Sequence, residues 1–234
     1  MTTILLIETA TAACSVGIAR NGKLLAMRET LDQRSHAEFI TVFIDELMQE
    51  TGLTYDELDA VALSKGPGSY TGLRIGVSTA KGICYAMDKP LIAIETLYAM
   101  AAGVHRNFQH ELDENDLLCP MIDARRMEVY TAVFDAQMQV VLPTEALVID
   151  DKSFEDLLEK QRMVFFGDGS EKCREALAAN RNALFLADVN PSVSFMVEAA
   201  FDAYARESFE DAAYFEPFYL KDFVAGIPHV KGLH

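Results

Sequence analysis

The chain has 234 residues, 50% of them apolar, so it can bury roughly 70–75% of its unfolded surface without disulfide or metal staples. That apolar content excludes a disordered chain. Thirty-six acids against twenty bases leave a formal net charge of −16, a field that repels phosphate backbones and argues against direct nucleic-acid binding.

Taken in chain order, Ile4 to Ile7 reads as a short buried strand. Cys14 to Ala19 and Leu24 to Arg28 follow, and the Asn21-Gly22 pair between them predicts a hairpin. Ser35-His-Ala-Glu38 forms a capping box for a helix running to about Glu50, where Thr51-Gly52 stops it. Ala60 to Ser64 is a strand. The glycine-rich stretch Gly66-Pro-Gly-Ser-Tyr-Thr-Gly72 leads into a second helix ending near Met87, and Leu91 to Ile94 is a further strand.

The second half repeats this order. Leu117 to Ile122 is a strand ending in Asp123. Met127 to Phe134 and Val140 to Leu142 read as a hairpin around Asp135-Ala-Gln-Met. A helix spans about Ser153 to Lys160, a strand Met163 to Phe166, and Gly167-Asp-Gly-Ser170 opens another helix. Leu184 to Leu186 is a strand, and Ser192 caps a last helix to about Arg206. Both halves therefore read strand, hairpin, helix, strand, helix, strand. The expectation is an α/β protein of two lobes, each a mixed sheet flanked by helices, with a cleft between them. The lobes are expected at 1–106 and 107–212. The polar run His110 to Asp116 is the linker region, and 213–234 is a C-terminal segment packing back on a lobe. Within 213–234 the aromatic stretch Phe215 to Lys221 reads as packed, and Asp222 to His234 as a tail.

Ligands in such sheets sit at the carboxyl ends of strands, and Glu8 and Asp123 fall at two of them. The cysteines, Cys14, Cys84, Cys119 and Cys173, show neither a CxxC pair nor a Cys/His cluster, which argues against zinc. Met1 to Glu8 lacks a basic region, and Glu8 interrupts the apolar run, so no signal peptide is expected. No apolar run reaches the ~18 residues needed to cross a bilayer. A reduced, soluble, cytoplasmic protein without membrane contact is expected.

Ile4-Leu-Leu-Ile-Glu-Thr9, Gly66-Pro-Gly-Ser-Tyr-Thr-Gly-Leu-Arg-Ile-Gly76 and Pro120-Met-Ile-Asp-Ala-Arg-Arg126 together resemble the bacterial TsaB (YeaZ) family, over nearly the whole chain. The resemblance implies a duplicated actin-like, ribonuclease H-like two-lobed fold related to ATPases and sugar kinases. It implies a role in making N6-threonylcarbamoyladenosine in tRNAs that read codons beginning with A. The implied partners are the catalytic paralogue TsaD and the ATPase TsaE, with a homodimer in isolation and tRNA met only through the complex. Older labels for the family describe a glycoprotease-like peptidase.

The residues qualify that picture. In an actin-like fold the loops after the first strand of each lobe approach nucleotide phosphates, which favours glycine and small residues. Glu8-Thr-Ala-Thr-Ala-Ala13 is small and hydroxyl-rich, whereas Asp123-Ala-Arg-Arg-Met127 is bulky and has no glycine. Glu8, Thr9 and Asp123 are the candidates for a residual nucleotide contact. No cofactor is expected in the isolated chain, and ATP or ADP with Mg²⁺ is expected at a complex interface. TsaD-like relatives place two metal-binding histidines one helical turn apart. Here His36 is followed four residues on by Ile40, so no metal site is expected. Ser69 lacks the Gly-x-Ser-x-Gly setting of a hydrolase nucleophile, and the loop lacks the Gly-Lys-Ser/Thr of a P-loop. No catalytic residue is expected. The alternatives are a small-molecule kinase or ATPase that depends on Asp123, and a peptidase that depends on Ser69.

Helix surfaces stand out instead. Phe39, Ile40, Phe43, Ile44 and Leu47 form a broad apolar stripe, and Gly72, Gly76 and Ala80 leave one face of the next helix nearly bare. The plain reading is packing of both helices on their own sheet. The functional reading, favoured by the resemblance, is a partner or dimer interface made by His36 with these residues, for which Gly76→Glu is the natural probe.

Overall fold

The computed structural model describes residues 1–31 and 36–221. The first half runs β1 (Thr3–Glu8), β2 (Cys14–Arg20), β3 (Lys23–Thr30), α1 (His36–Thr51), β4 (Ala60–Gly66), α2 (Tyr70–Met87), β5 (Leu91–Glu95) and α3 (Thr96–Asn107). The second runs β6 (Leu117–Asp123), β7 (Glu128–Phe134), β8 (Val140–Val148), α4 (Glu155–Leu158), β9 (Met163–Phe166), α5 (Ser170–Leu177), β10 (Ala183–Phe185) and α6 (Val193–Ala205). The sheets have orders β3-β2-β1-β4-β5 and β8-β7-β6-β9-β10, the same topology twice. In each, the first three strands are antiparallel and the last two run parallel to the first.

Local chemistry accounts for most boundaries. β1 is buried along its whole length because it is the central strand and both faces of its sheet are covered. Asn21 and Gly22 both take positive φ, the twist a two-residue hairpin needs. Gly52, also at positive φ, ends α1, and the Leu53 amide bonds back to the Met48 carbonyl. Ser69 caps α2 by accepting the Gly72 amide at 3.3 Å. Ser35 of the expected capping box lies outside the described residues, as does Asp222 to His234.

Three elements differ from expectation. The sequence pattern predicts no helix where α3 lies, because α3 follows β5 with no intervening loop: Glu95 ends the strand and is itself the N-cap position. The apolar run from Leu91 to Val104 thus carries no punctuation between strand and helix. β8 continues past Pro143 to Val148, since a proline is tolerated on an edge strand. α4 is a single turn, Glu155–Leu158, and not the longer helix expected.

The core shows how the halves are joined. Leu5 and Ile7 of β1 point to the face covered by α1 and α2. Ile4 and Leu6 point to the opposite face, where α6 supplies Val193, Met196, Val197 and Ala200. Conversely, Leu97, Met100, Ala101 and Val104 of α3 pack with Leu118, Ile122, Ala132 and Phe134 of the second sheet. Each half therefore sends its last helix to the other half's sheet, and α3 meets α6 between the two. A methyl group on Gly103 would fall 2.1 Å from the Phe195 ring, so that crossing is in backbone-to-ring contact.

Candidate functional site

The carboxyl ends of the central strands of both lobes open into one cleft of about 660 Å³. Ala10 to Ala12, Ser69 and Thr71 line it from the first lobe, and Asp123 to Arg125, Tyr130 and Asp168 from the second. Two Gly-x-Gly-Ser loops, Gly66-Pro-Gly-Ser69 and Gly167-Asp-Gly-Ser170, build matching walls. Gly66 and Gly167 both take positive φ, at 110° and 104°. A methyl group on Gly68 would lie 2.2 Å from the Ala10 carbonyl oxygen, and one on Gly169 would lie 2.9 Å from the Ile122 carbonyl carbon. The internal repeat thus has a residue-level signature that the strand pattern alone did not reveal.

Glu8 and Asp123 do not occupy equivalent levels. Ile7 pairs with Leu63, three residues before Gly66, whereas Pro120 pairs with Phe166, the residue before Gly167. Glu8 therefore sits about four residues deeper than Asp123 relative to the glycine loops, roughly 13 Å along a strand. The consequence is visible in exposure: Glu8 is 1% exposed, while the Asp123 side chain is 48% exposed.

The Glu8 carboxyl is a structural anchor. Its Oε1 accepts the Ala10 amide at 2.7 Å and the Ser64 hydroxyl at 2.7 Å. Its Oε2 is buried and has no hydrogen-bond partner. Burial pushes the carboxyl from 4.5 up to about 7, and the hydrogen bonds from Ala10 and Ser64 counter only part of this. Thr9 is also buried, under Gly76. Of the three candidate nucleotide contacts, only Asp123 lines the cleft. There it is ion-paired with Lys172 and accepts the Arg125 amide at 2.7 Å, while its own amide donates to Asp168 Oδ1 at 3.0 Å. Burial raises the Asp168 carboxyl as well, the Asp123 amide working the other way. Asp168, Lys172 and Ser64 were not singled out in the sequence; the repeated Gly-x-Gly-Ser is the signal that points to Asp168.

Four amides of the two loops that would face a phosphate are engaged within the chain. A phosphate cradle needs free backbone N–H groups. In the first loop the Ala10 amide goes to Glu8 and the Ala13 amide to Thr11 Oγ1. In the second, the Ala124 amide goes to the Glu128 carbonyl and the Arg125 amide to Asp123. Arg125 and Arg126 hold positive φ, at 76° and 53°, a conformation suited to glycine. Among the described residues no three His, Cys, Asp or Glu side chains come together to hold a metal ion. His36 opens α1, its side chain outside the described part, and Ile40 is wholly buried. Ser69 is engaged as a helix cap.

The helix face resolves into an inner and an outer part. Ile40, Ile44 and Leu47 of α1 and Ala80 of α2 belong to the first lobe's own core, and Gly72 and Gly76 are buried too. A methyl group on Gly76 would lie 2.3 Å from Thr9 Oγ1, so Gly76→Glu probes folding and not association. Phe39 and Phe43 stack at 5.4 Å and remain half-buried. Outward, α1 presents Val42, 49% exposed, and α2 presents Tyr85, 90% exposed.

A family model described as "TsaD: tRNA N6-adenosine threonylcarbamoyltransferase" matches residues 29–229. A Bacillus subtilis protein named tRNA threonylcarbamoyladenosine biosynthesis protein TsaB is 31% identical over 167 residues, 70% of this chain and 69% of that one. The chain belongs to the TsaB (YeaZ) family. The TsaB protein of Haemophilus influenzae is 39% identical over 128 residues, and that match spans only 52% of its length. The solved structure of YeaZ from Pseudomonas aeruginosa superposes with a TM-score of 0.81 at 25% identity, covering 94% of this chain and 100% of that one. The duplicated actin-like fold of the family is the fold found here.

Proposed function

We propose that this TsaB-family chain takes part in forming tRNA N6-threonylcarbamoyladenosine as a non-catalytic subunit that binds and supports a TsaD-type catalytic chain. The observation that carries the reading is the cleft: the amides of Ala10, Ala13, Ala124 and Arg125 and the Asp123 carboxylate are engaged within the chain, although the family model for the transferase runs across 29–229. A chain with this fold whose phosphate-facing loops have these four amides already bonded is suited to holding a partner more than to turning over nucleotide. The net charge of −16 supports the same division, because the basic surface that meets tRNA then belongs to the partner. Homodimer formation, TsaE and an ATP or ADP with Mg²⁺ at an interface belong to this reading as further parts of the complex. The contact surface it offers is the outer side of α1 and α2, centred on Val42 and Tyr85.

The test is mass spectrometry of tRNA nucleosides from cells depleted of the protein and complemented with variants. Loss of threonylcarbamoyladenosine, restored by the parent gene but not by Val42→Glu with Tyr85→Glu, is the expected result. Unchanged nucleoside levels on depletion would remove the reading. Complementation by the double variant would move the contact to another surface.

A further inference from the structure

The residues after α6 return across both lobes. Lys81 Nζ of α2 donates to the Ala213 and Phe215 carbonyls, each at 3.1 Å. The Phe218 amide donates to the Lys65 carbonyl at 2.7 Å, and the Tyr219 ring lies 4.9 Å from the Tyr70 ring. A methyl group on Gly66 would sit 2.7 Å from the Phe218 carbonyl oxygen, so the segment lies flat against the glycine loop. All of these contacts are with the first lobe. Lys221 then crosses to the second lobe and forms an ion pair with Glu128. Phe218 to Lys221 thereby become part of the wall of the interlobe cleft, beside Ala12 and Arg125.

We propose that residues 213–221 are a strap, anchored on the first lobe and latched to the second by Lys221–Glu128, that limits entry to the cleft between them. The two ends differ in strength. The first-lobe end combines main-chain bonds, a lysine shared between two carbonyls and an aromatic contact. The latch is one ion pair with side chains 44% and 20% exposed, which is weak and sensitive to salt. Its release exposes the cleft without disturbing either sheet. The Glu128 carbonyl also accepts Lys172 Nζ at 2.7 Å, and Lys172 pairs with Asp123. The latch residue is thus one step from the acid that faces the cleft. This inference concerns access only and stands apart from the tRNA reading.

The test is the rate at which N-ethylmaleimide alkylates Ala12→Cys, a half-buried cleft position, in the full chain. The four native cysteines are all buried, and the parent chain supplies their background. Lys221→Glu is expected to raise the rate about fivefold, the scale of a partly exposed ion pair. Adding Glu128→Lys should restore it, and raising salt should accelerate only the chains with an intact latch. Val140→Cys, an exposed position on β8, should react at one rate in every background. Equal Ala12→Cys rates with and without the latch would overturn the proposal. So would a faster rate that the charge swap does not reverse.

Discussion

At the scale of single residues, the informative groups are those whose chemistry disagrees with their surroundings. Glu8 is a carboxyl in a dry site, with its pKa moved from 4.5 to about 7. A folded-state pKa above the unfolded one means that the folded state holds the proton more tightly. The contribution is then complete below pH 4.5 and is lost as pH rises through 7. A shift of this size corresponds to about 3 kcal/mol. The stability difference between parent and Glu8→Gln, from urea denaturation, should therefore shift in favour of the variant by up to that amount from pH 4.5 to 8. A constant difference would mean that Glu8 titrates normally. Arg126 disagrees with its backbone: its φ is 53°, where a side chain costs roughly 1–2 kcal/mol. Arg126→Gly should raise stability by about 0.5–1 kcal/mol after the added freedom of the unfolded chain is counted, seen as a higher urea midpoint at unchanged slope. Neither feature can be read from residue type alone, because an acid after a strand and an arginine in a turn are both ordinary on paper.

At the scale of elements, glycine position decides what α2 and its loop can tolerate. Gly82 has nothing within 4 Å of an added methyl group, whereas one on Gly68 would meet the Ala10 carbonyl oxygen at 2.2 Å. Gly82→Ala should therefore stabilise the protein by about 0.5–1 kcal/mol, since alanine is the better helix former. Gly68→Ala should destabilise it by more than ~2 kcal/mol, because the loop must leave its strand. Thermal midpoints of the two variants check both directions together. The element order was largely legible: the Asn21-Gly22 hairpin, the Gly52 stop and the Ser69 and Ser192 caps are local chemistry written in adjacent residues. Helix α3 was not legible, because nothing in Glu95-Thr96 separates a strand from a helix. The small face of α2 was legible as a contact surface, but its partner was not. Gly76 meets Thr9, 67 residues away along the chain, and no periodicity in α2 encodes that.

At the scale of the whole molecule, the exchange of α3 and α6 makes the halves interdependent. Cutting the chain at 106/107 leaves each sheet without the helix that covers its inner face. The fragments 1–106 and 107–212 should each fail to give a cooperative transition alone, while the intact chain unfolds in one step with coincident circular dichroism and fluorescence. Gly103→Ala, wedging α3 from Phe195, should lower the stability of both lobes together. A first-lobe transition that survives the substitution would show that the lobes are independent.

What the sequence by itself determined is the part of this protein that neighbouring residues control. That part comprises two rounds of strand, hairpin, helix and strand, caps and stops where polar side chains or glycine meet free backbone groups, a strongly acidic surface, and the motifs that mark the family. Only the tertiary structure decided which partners the loop amides take, how deep each strand-end acid sits, and which helix covers which sheet. It also decided that the C-terminal segment crosses the cleft. The physical reason is the range of the interactions. Hairpins and caps close over two to five residues, so their chemistry is visible in a short window. Register and burial are set by hydrophobic contacts between segments far apart in the chain, and a difference of about four residues in strand level is enough to place one acid in the core and the other in solvent.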